Sequence, residues 1–140
     1  LVLTLNKGFP MSKEDRVVLV IDDSATARQN VKIAVEEMGF RVVEASDGKE
    51  GCRKVEENLN TLIAMIIDVN MPNMNGLEML EYLKENGMAT NVPKIMLTTE
   101  PPSGLMKSKE SSNKLRFWLI KPVRKEKIIR SIEKALKKKD

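Results

Sequence analysis

Short runs of aliphatic and β-branched residues alternate along the chain with longer segments whose apolar positions recur at helical spacing. Val17-Val18-Leu19-Val20-Ile21 is apolar without a break, the pattern of a strand covered on both faces. It stops at Asp22-Asp23-Ser24, whose short oxygen-bearing side chains can cap a helix. The next segment places Val31, Ala34, Val35 and Met38 at i, i+3, i+4 and i+7 and then meets Gly39, a helix C-terminal stop. Arg41–Ala45 reads as a second strand, and Ser46-Asp47-Gly48 opens a second helix with Cys52, Val55 and Leu59 on one side. Leu62–Ile67 reads as a third strand ending at Asp68, followed by a turn through Pro72, Asn73, Asn75 and Gly76. A helix from about Leu77 to Glu85 is expected to bury Leu77, Leu80 and Leu83. Lys94–Leu97 and Phe117–Ile120 are the fourth and fifth strands, closing at Thr98-Thr99-Glu100 and at Lys121-Pro122. The last helix carries Ile128, Ile129, Ile132, Ala135 and Leu136 on its inner face, and a short helix is expected between Pro101 and Leu115.

Strands alternating with helices in this way predict an α/β domain, a doubly wound five-stranded parallel sheet with helices on both faces. A chain of 140 residues, 41% hydrophobic and 31% charged, suits one such domain. Residues 1–10 end in a Gly-Phe-Pro break before Met11 and are expected to be a leader or appended remnant, leaving 11–140 as the domain. No apolar run approaches the roughly 20 residues that a membrane span requires, so no membrane contact is expected. Cys52 is the only cysteine, which rules out an internal disulfide and points to a reducing, cytoplasmic setting. On its helix it reads as a small core hydrophobe.

The net charge of +4 is concentrated between Arg124 and Lys139, where it reads as the solvated face of the terminal helix. No aromatic residue is interleaved with it, so direct nucleic-acid binding is not expected. The absence of histidine is more restrictive. The chain can form no phosphohistidine, has no imidazole base, and cannot hold zinc through imidazole. Any phosphoryl group must come from another molecule.

Asp22 and Asp23, Asp68, Thr98 and Lys121 each fall just past the C-terminal end of a predicted strand. In open α/β sheets this edge is where ligands bind. Taken singly, Asp-Asp-Ser is usually a cap, Thr98-Thr99 a turn and Lys121 a surface lysine. Together and in this order they describe a site. Three converging carboxylates repel one another unless a cation lies among them, and an all-oxygen set favours a hard ion such as Mg²⁺. A carboxylate nucleophile, Mg²⁺, a lysine and a hydroxyl are the parts of phosphoryl transfer to an aspartate.

The strings Val-Leu-Val-Ile-Asp22-Asp23-Ser24, Met-Ile-Ile-Asp68-Val-Asn-Met-Pro72-Asn-Met-Asn-Gly76, Met-Leu-Thr98-Thr99-Glu100 and Lys121-Pro122 resemble those of two-component response-regulator receiver domains. The likeness covers residues 15–140 and is nearest to single-domain, chemotaxis-type receivers. It implies a flavodoxin-like sheet of order 2-1-3-4-5. It implies Asp68 as phosphoacceptor, with Mg²⁺ held by Asp23, Asp68 and the Asn70 backbone carbonyl and Asp22 acting through water. Thr98 and Lys121 would meet the phosphoryl oxygens. Asn70 and Glu100 occupy the two positions that tune dephosphorylation in that family. Trp118 stands where such domains usually carry a tyrosine or phenylalanine switch coupled to the threonine. The alternative is that its bulkier indole only packs at the end of the fifth strand.

The implied partners are a histidine kinase or phosphotransfer protein and a downstream protein target. The implied state is a monomer or a weak phosphorylation-dependent dimer. The protein would catalyse only its own phosphorylation and dephosphorylation. A phosphorelay carrier, the receiver of a larger regulator and a phosphorylation-independent binding module stay open. A flavodoxin is disfavoured because Asp22-Asp23 would repel its phosphate. An aspartate-nucleophile phosphatase would want a carboxylate where Asn70 stands, and no Gly-rich Walker loop is present.

Overall fold

The apolar runs do form one parallel sheet. The computed structural model describes residues 12–99 and 115–137, together with two short strands, β1 (Thr4–Asn6) and β2 (Phe9–Pro10). Its main elements are β3 (Val17–Ile21), α1 (Ala25–Glu37), β4 (Arg41–Ala45), α2 (Gly48–Glu57), β5 (Leu62–Asp68), α3 (Gly76–Glu85), β6 (Lys94–Thr98), β7 (Leu115–Ile120) and α4 (Lys125–Lys137). The five-stranded sheet runs β4-β3-β5-β6-β7, which is the order 2-1-3-4-5 within that sheet, and every pairing in it is parallel. β1 and β2 pair antiparallel in a separate two-stranded sheet.

Alternate residues of the strands build two apolar layers, because successive side chains point to opposite faces. Leu19, Ile21, Met65, Ile67 and Met96 pack with Val55 of α2 and Met79, Leu80 and Leu83 of α3. Val18, Val20, Ile66, Ile95 and Leu97 pack with Val31, Ala34 and Val35 of α1 and Ile128, Ile132 and Ala135 of α4. The uninterrupted hydrophobicity of β3 follows from this double cover, and all five of its residues are buried.

Local chemistry sets the helix ends. The Ser24 hydroxyl accepts from the Ala27 N–H (3.2 Å) and the Asp47 carboxylate from the Glu50 N–H (2.9 Å). Asn75 and Glu78 form a reciprocal capping box at 2.8 and 2.9 Å. Gly39 ends α1 at φ 93°, a conformation that costs glycine little.

Several sequence expectations require correction. Leu59 is 48% exposed, because α2 ends at Glu57 and the Asn58 side chain folds back to donate to the Lys54 carbonyl. In α3 the inner positions are Met79, Leu80 and Leu83, with Leu77 only half-buried. In α4 Ser131 takes an inward place, whereas Ile129 is half-buried and Leu136 exposed. β7 begins two residues earlier than its apolar run suggests, at Leu115. The expected helix between Pro101 and Leu115 lies outside the described residues.

Candidate functional site

Strand register assembles the site before any side chain is considered. Ile21 pairs with Ile67, Asp68 with Leu97 and Thr98 with Ile120. The residues that follow, Asp22 and Lys121, therefore reach the same sheet edge as Asp68 and Thr98. Carboxylate oxygens of Asp22, Asp23 and Asp68 come within 4.8 Å of one another. Asp22 and Asp68 are buried, 1% and 4% exposed, while Asp23 is exposed.

Lys121 Nζ donates to Asp22 Oδ2 at 2.7 Å and lies 3.3 Å from Asp68 Oδ1. Its peptide bond to Pro122 is cis. Burial alone would lower the Lys121 pKa, but the Asp22 hydrogen bond and the charges of Asp22 and Asp68 outweigh it and hold the ammonium above its usual value. Asp68 moves up to about 6, through burial first and repulsion by Asp22 second, only partly offset by Lys121 and by the Asn70 backbone N–H. Three carboxylates and one ammonium leave a net charge of minus two when all are ionised. A hard divalent cation matches both that charge and the all-oxygen donor set.

Asp22 is held at each of its polar atoms. Its N–H donates to the Ala45 carbonyl (3.0 Å), and Oδ1 accepts from the Ser24 N–H (2.9 Å). Its carbonyl accepts from Arg28 Nη1 at 2.6 Å. Gly76, at the start of α3, lies against the Asp68 carbonyl so closely that a Cβ there would collide with it. The backbone on both sides of the cluster is thus tightly seated.

Thr98 is buried at the end of β6, and Trp118 is half-buried against the layer formed with α2 and α3. Asn70 is exposed beside Asp68, while Glu100 lies outside the described residues. Next to Lys121 opens an apolar cleft of about 400 Å³, lined by Ala27, Val31, Leu97, Pro122, Val123 and Ile128 among others. Cys52 is buried and its thiol is pushed up to about 11, chiefly by desolvation, in keeping with a packing role. Among the described residues no helix is long and apolar enough to cross a membrane.

Two cations placed by the fold carried no sequence signal, Arg28 beside the site and Lys94 at the far end of β6 from it. Arg28 is one of many charged residues on an amphipathic helix, and only the fold turns it onto the Asp22 carbonyl. Lys94 sits inside an apolar run yet is 2% exposed, its Nζ donating to the Ala89 and Val92 carbonyls at 2.8 and 2.9 Å.

Comparison with known proteins agrees with this architecture. Residues 18–133 match the family model for the response regulator receiver domain. The chain is 38% identical to the chemotaxis protein CheY1 of Helicobacter pylori over 84 residues, covering 59% of this chain and 67% of that protein. It is 31% identical to the crystallised chemotaxis protein CheY4 of Vibrio cholerae, covering 86% and 98% of the two chains at a TM-score of 0.76. At 22% identity, the CheY of a CheX-CheY-BeF3-Mg²⁺ complex from Borrelia burgdorferi shares the fold at a TM-score of 0.79, covering 88% and 90%.

Proposed function

Because the chain belongs to the response regulator receiver domain family, we propose that it is a phosphoacceptor signalling domain with Asp68 as the acceptor. The unit that acts is residues 11–140, with residues 1–10 outside it. An ionised oxygen of Asp68 attacks phosphorus of a phosphohistidine on a kinase or phosphotransfer protein. The phosphorus–nitrogen bond breaks, the electron pair leaves with the donor imidazole, and an acyl phosphate remains on Asp68. The chain has no histidine of its own, which suits an acceptor that draws on a separate donor.

The observation that carries this reading is the convergence of Asp22, Asp23 and Asp68 within 4.8 Å, with Lys121 Nζ 2.7 Å from Asp22 and 3.3 Å from Asp68. Asp23, Asp68 and the Asn70 backbone carbonyl would hold Mg²⁺, with Asp22 acting through water. When bound, Mg²⁺ neutralises charge on the phosphoryl oxygens. Lys121, 3.3 Å from Asp68 Oδ1, would stabilise the same charge, and Thr98 would donate its hydroxyl to it. By the resemblance to receivers, the residue types at positions 70 and 100, Asn70 and Glu100, would set how readily water removes the phosphoryl group. Movement of Thr98 onto the phosphoryl group, coupled to Trp118, would bias the surface between two states through differential contacts. The protein acts as a signalling component and turns over only its own acyl phosphate, in a cytoplasmic setting.

The test uses Trp118, the single tryptophan, as reporter. Mg²⁺ and then beryllofluoride, a mimic of the acyl phosphate, are titrated into wild type and Asp68→Asn. A saturable Mg²⁺-dependent change lost in the variant is expected. Mass spectrometry after acetyl phosphate should show one added phosphoryl group in wild type and none in Asp68→Asn. Absence of both responses in wild type would reduce the protein to a binding module that works without phosphate.

A further inference from the structure

Arg28 stands one turn into α1 and reaches back to the loop that bears the two leading carboxylates. Its Nη1 donates to the Asp22 carbonyl at 2.6 Å, and its Nε donates to Glu44 Oε1 on β4 at 3.1 Å. The other Glu44 oxygen lies 3.7 Å from Lys32 Nζ. The Arg28 side chain is 19% exposed, and its guanidinium is held between a carbonyl and a carboxylate instead of extending into water. Its planar fork holds two separate N–H donors in a fixed relation, which the single ammonium nitrogen of a lysine does not.

The carbonyl it grips determines more than Asp22. A trans peptide is planar, so fixing the carbonyl of residue 22 fixes the N–H and Cα of residue 23. Asp22 and Asp68 are anchored by burial and by Lys121. Asp23 is the exposed member of the cluster, on the irregular link between β3 and α1. Its place relative to the other two depends on how that peptide is turned. The peptide is fixed at one end by Asp22 and at the other by the Ser24 cap, and Arg28 supplies the contact between them.

We propose that Arg28, oriented by Glu44, is a positioning residue that sets the Asp22–Asp23 peptide and so the affinity of the carboxylate cluster for a divalent cation. This rests on the reading of the cluster as a Mg²⁺ site. Electrostatics and positioning act here with opposite sign. A guanidinium near the cluster repels an incoming cation, so deleting its charge alone would tighten Mg²⁺ binding. Deleting its grip on the carbonyl loosens binding.

The experiment is calorimetric titration of Mg²⁺ into the full chain for wild type, Arg28→Met, Arg28→Lys and Glu44→Gln. Each is first shown to unfold cooperatively in EDTA. Arg28→Met is expected to bind Mg²⁺ about ten- to a hundredfold more weakly, the range found when partners that orient metal ligands are removed. Arg28→Lys and Glu44→Gln should fall between it and wild type. Acetyl phosphate should label Arg28→Met at the wild-type rate once Mg²⁺ is saturating, a split that general loosening of the site would not give. Unchanged or tighter Mg²⁺ binding in Arg28→Met overturns the proposal. If Arg28→Met does not fold, Glu44→Gln decides in the same way. Wild type that binds no Mg²⁺ sinks the metal reading itself, a result distinguishable from failure of Arg28 alone.

Discussion

At Asp68, burial and the Asp22 charge push in the same direction, and the folded pKa of about 6 lies above the ordinary 3.8. Between those values the folded state keeps a proton that the unfolded chain has already released. The contribution of Asp68 to the stability of the metal-free protein is therefore fully present below about 3.8 and is lost as pH rises through about 6. The difference between 3.8 and about 6 sets the loss at roughly 3 kcal/mol, as an upper figure. Asp68→Asn should abolish the slope and be the more stable protein at neutral pH, as read by urea unfolding in EDTA from acid to neutral pH. A wild-type stability that climbs over this range would contradict the assignment. At this scale the site residues were largely readable, because aspartates, a threonine and a lysine directly after apolar strands break a strong pattern. Arg28 and Lys94 were not, since a lone cation on a helix or at a strand start looks the same buried or exposed.

The start of α3 shows how an element is tied to the site. Asn75 and Glu78 cap its backbone in both directions, while Gly76 leaves room for the Asp68 carbonyl and the Met96 methyl group. Asn75→Ala removes one partner of the box and should cost about 1 kcal/mol in urea unfolding. Gly76→Ala forces a Cβ into the backbone carbonyl of Asp68. It should cost more, roughly 1–3 kcal/mol, and should also weaken Mg²⁺ binding, which Asn75→Ala leaves intact. The reverse ranking would show that the loop yields freely. Boundaries were read well where caps are local in sequence, as at Ser24, Asp47 and Gly39. They were read poorly where a polar residue interrupts the apolar run, as Arg116 does between Leu115 and Phe117. The inner faces of α2 and α4 were overdrawn for a related reason. A helix turns Leu59 or Leu136 to the core only if it continues and if another layer is there to meet it.

Across the whole molecule, the parallel register joins the adjacent Asp22 and Asp23 to the distant Asp68, and a folded-state ligand at that edge must stabilise the fold by mass action. At a Mg²⁺ concentration a hundredfold above the dissociation constant, the gain should be about 2.7 kcal/mol. Thermal melts with Mg²⁺ and with EDTA should separate for wild type and coincide for Asp68→Asn. Equal shifts in both proteins would place the cation elsewhere. The sequence by itself determined the α/β class and the residues that end each strand, because both are written in local hydrophobic periodicity and in cap chemistry. Through its likeness to receivers it also carried the strand order that the sheet adopts. Only the tertiary structure decided which helix positions are buried, how strongly Asp68 is perturbed, and that Arg28 and Glu44 brace the Asp22 carbonyl. Those properties depend on neighbours from other elements, at distances that no single stretch of sequence encodes.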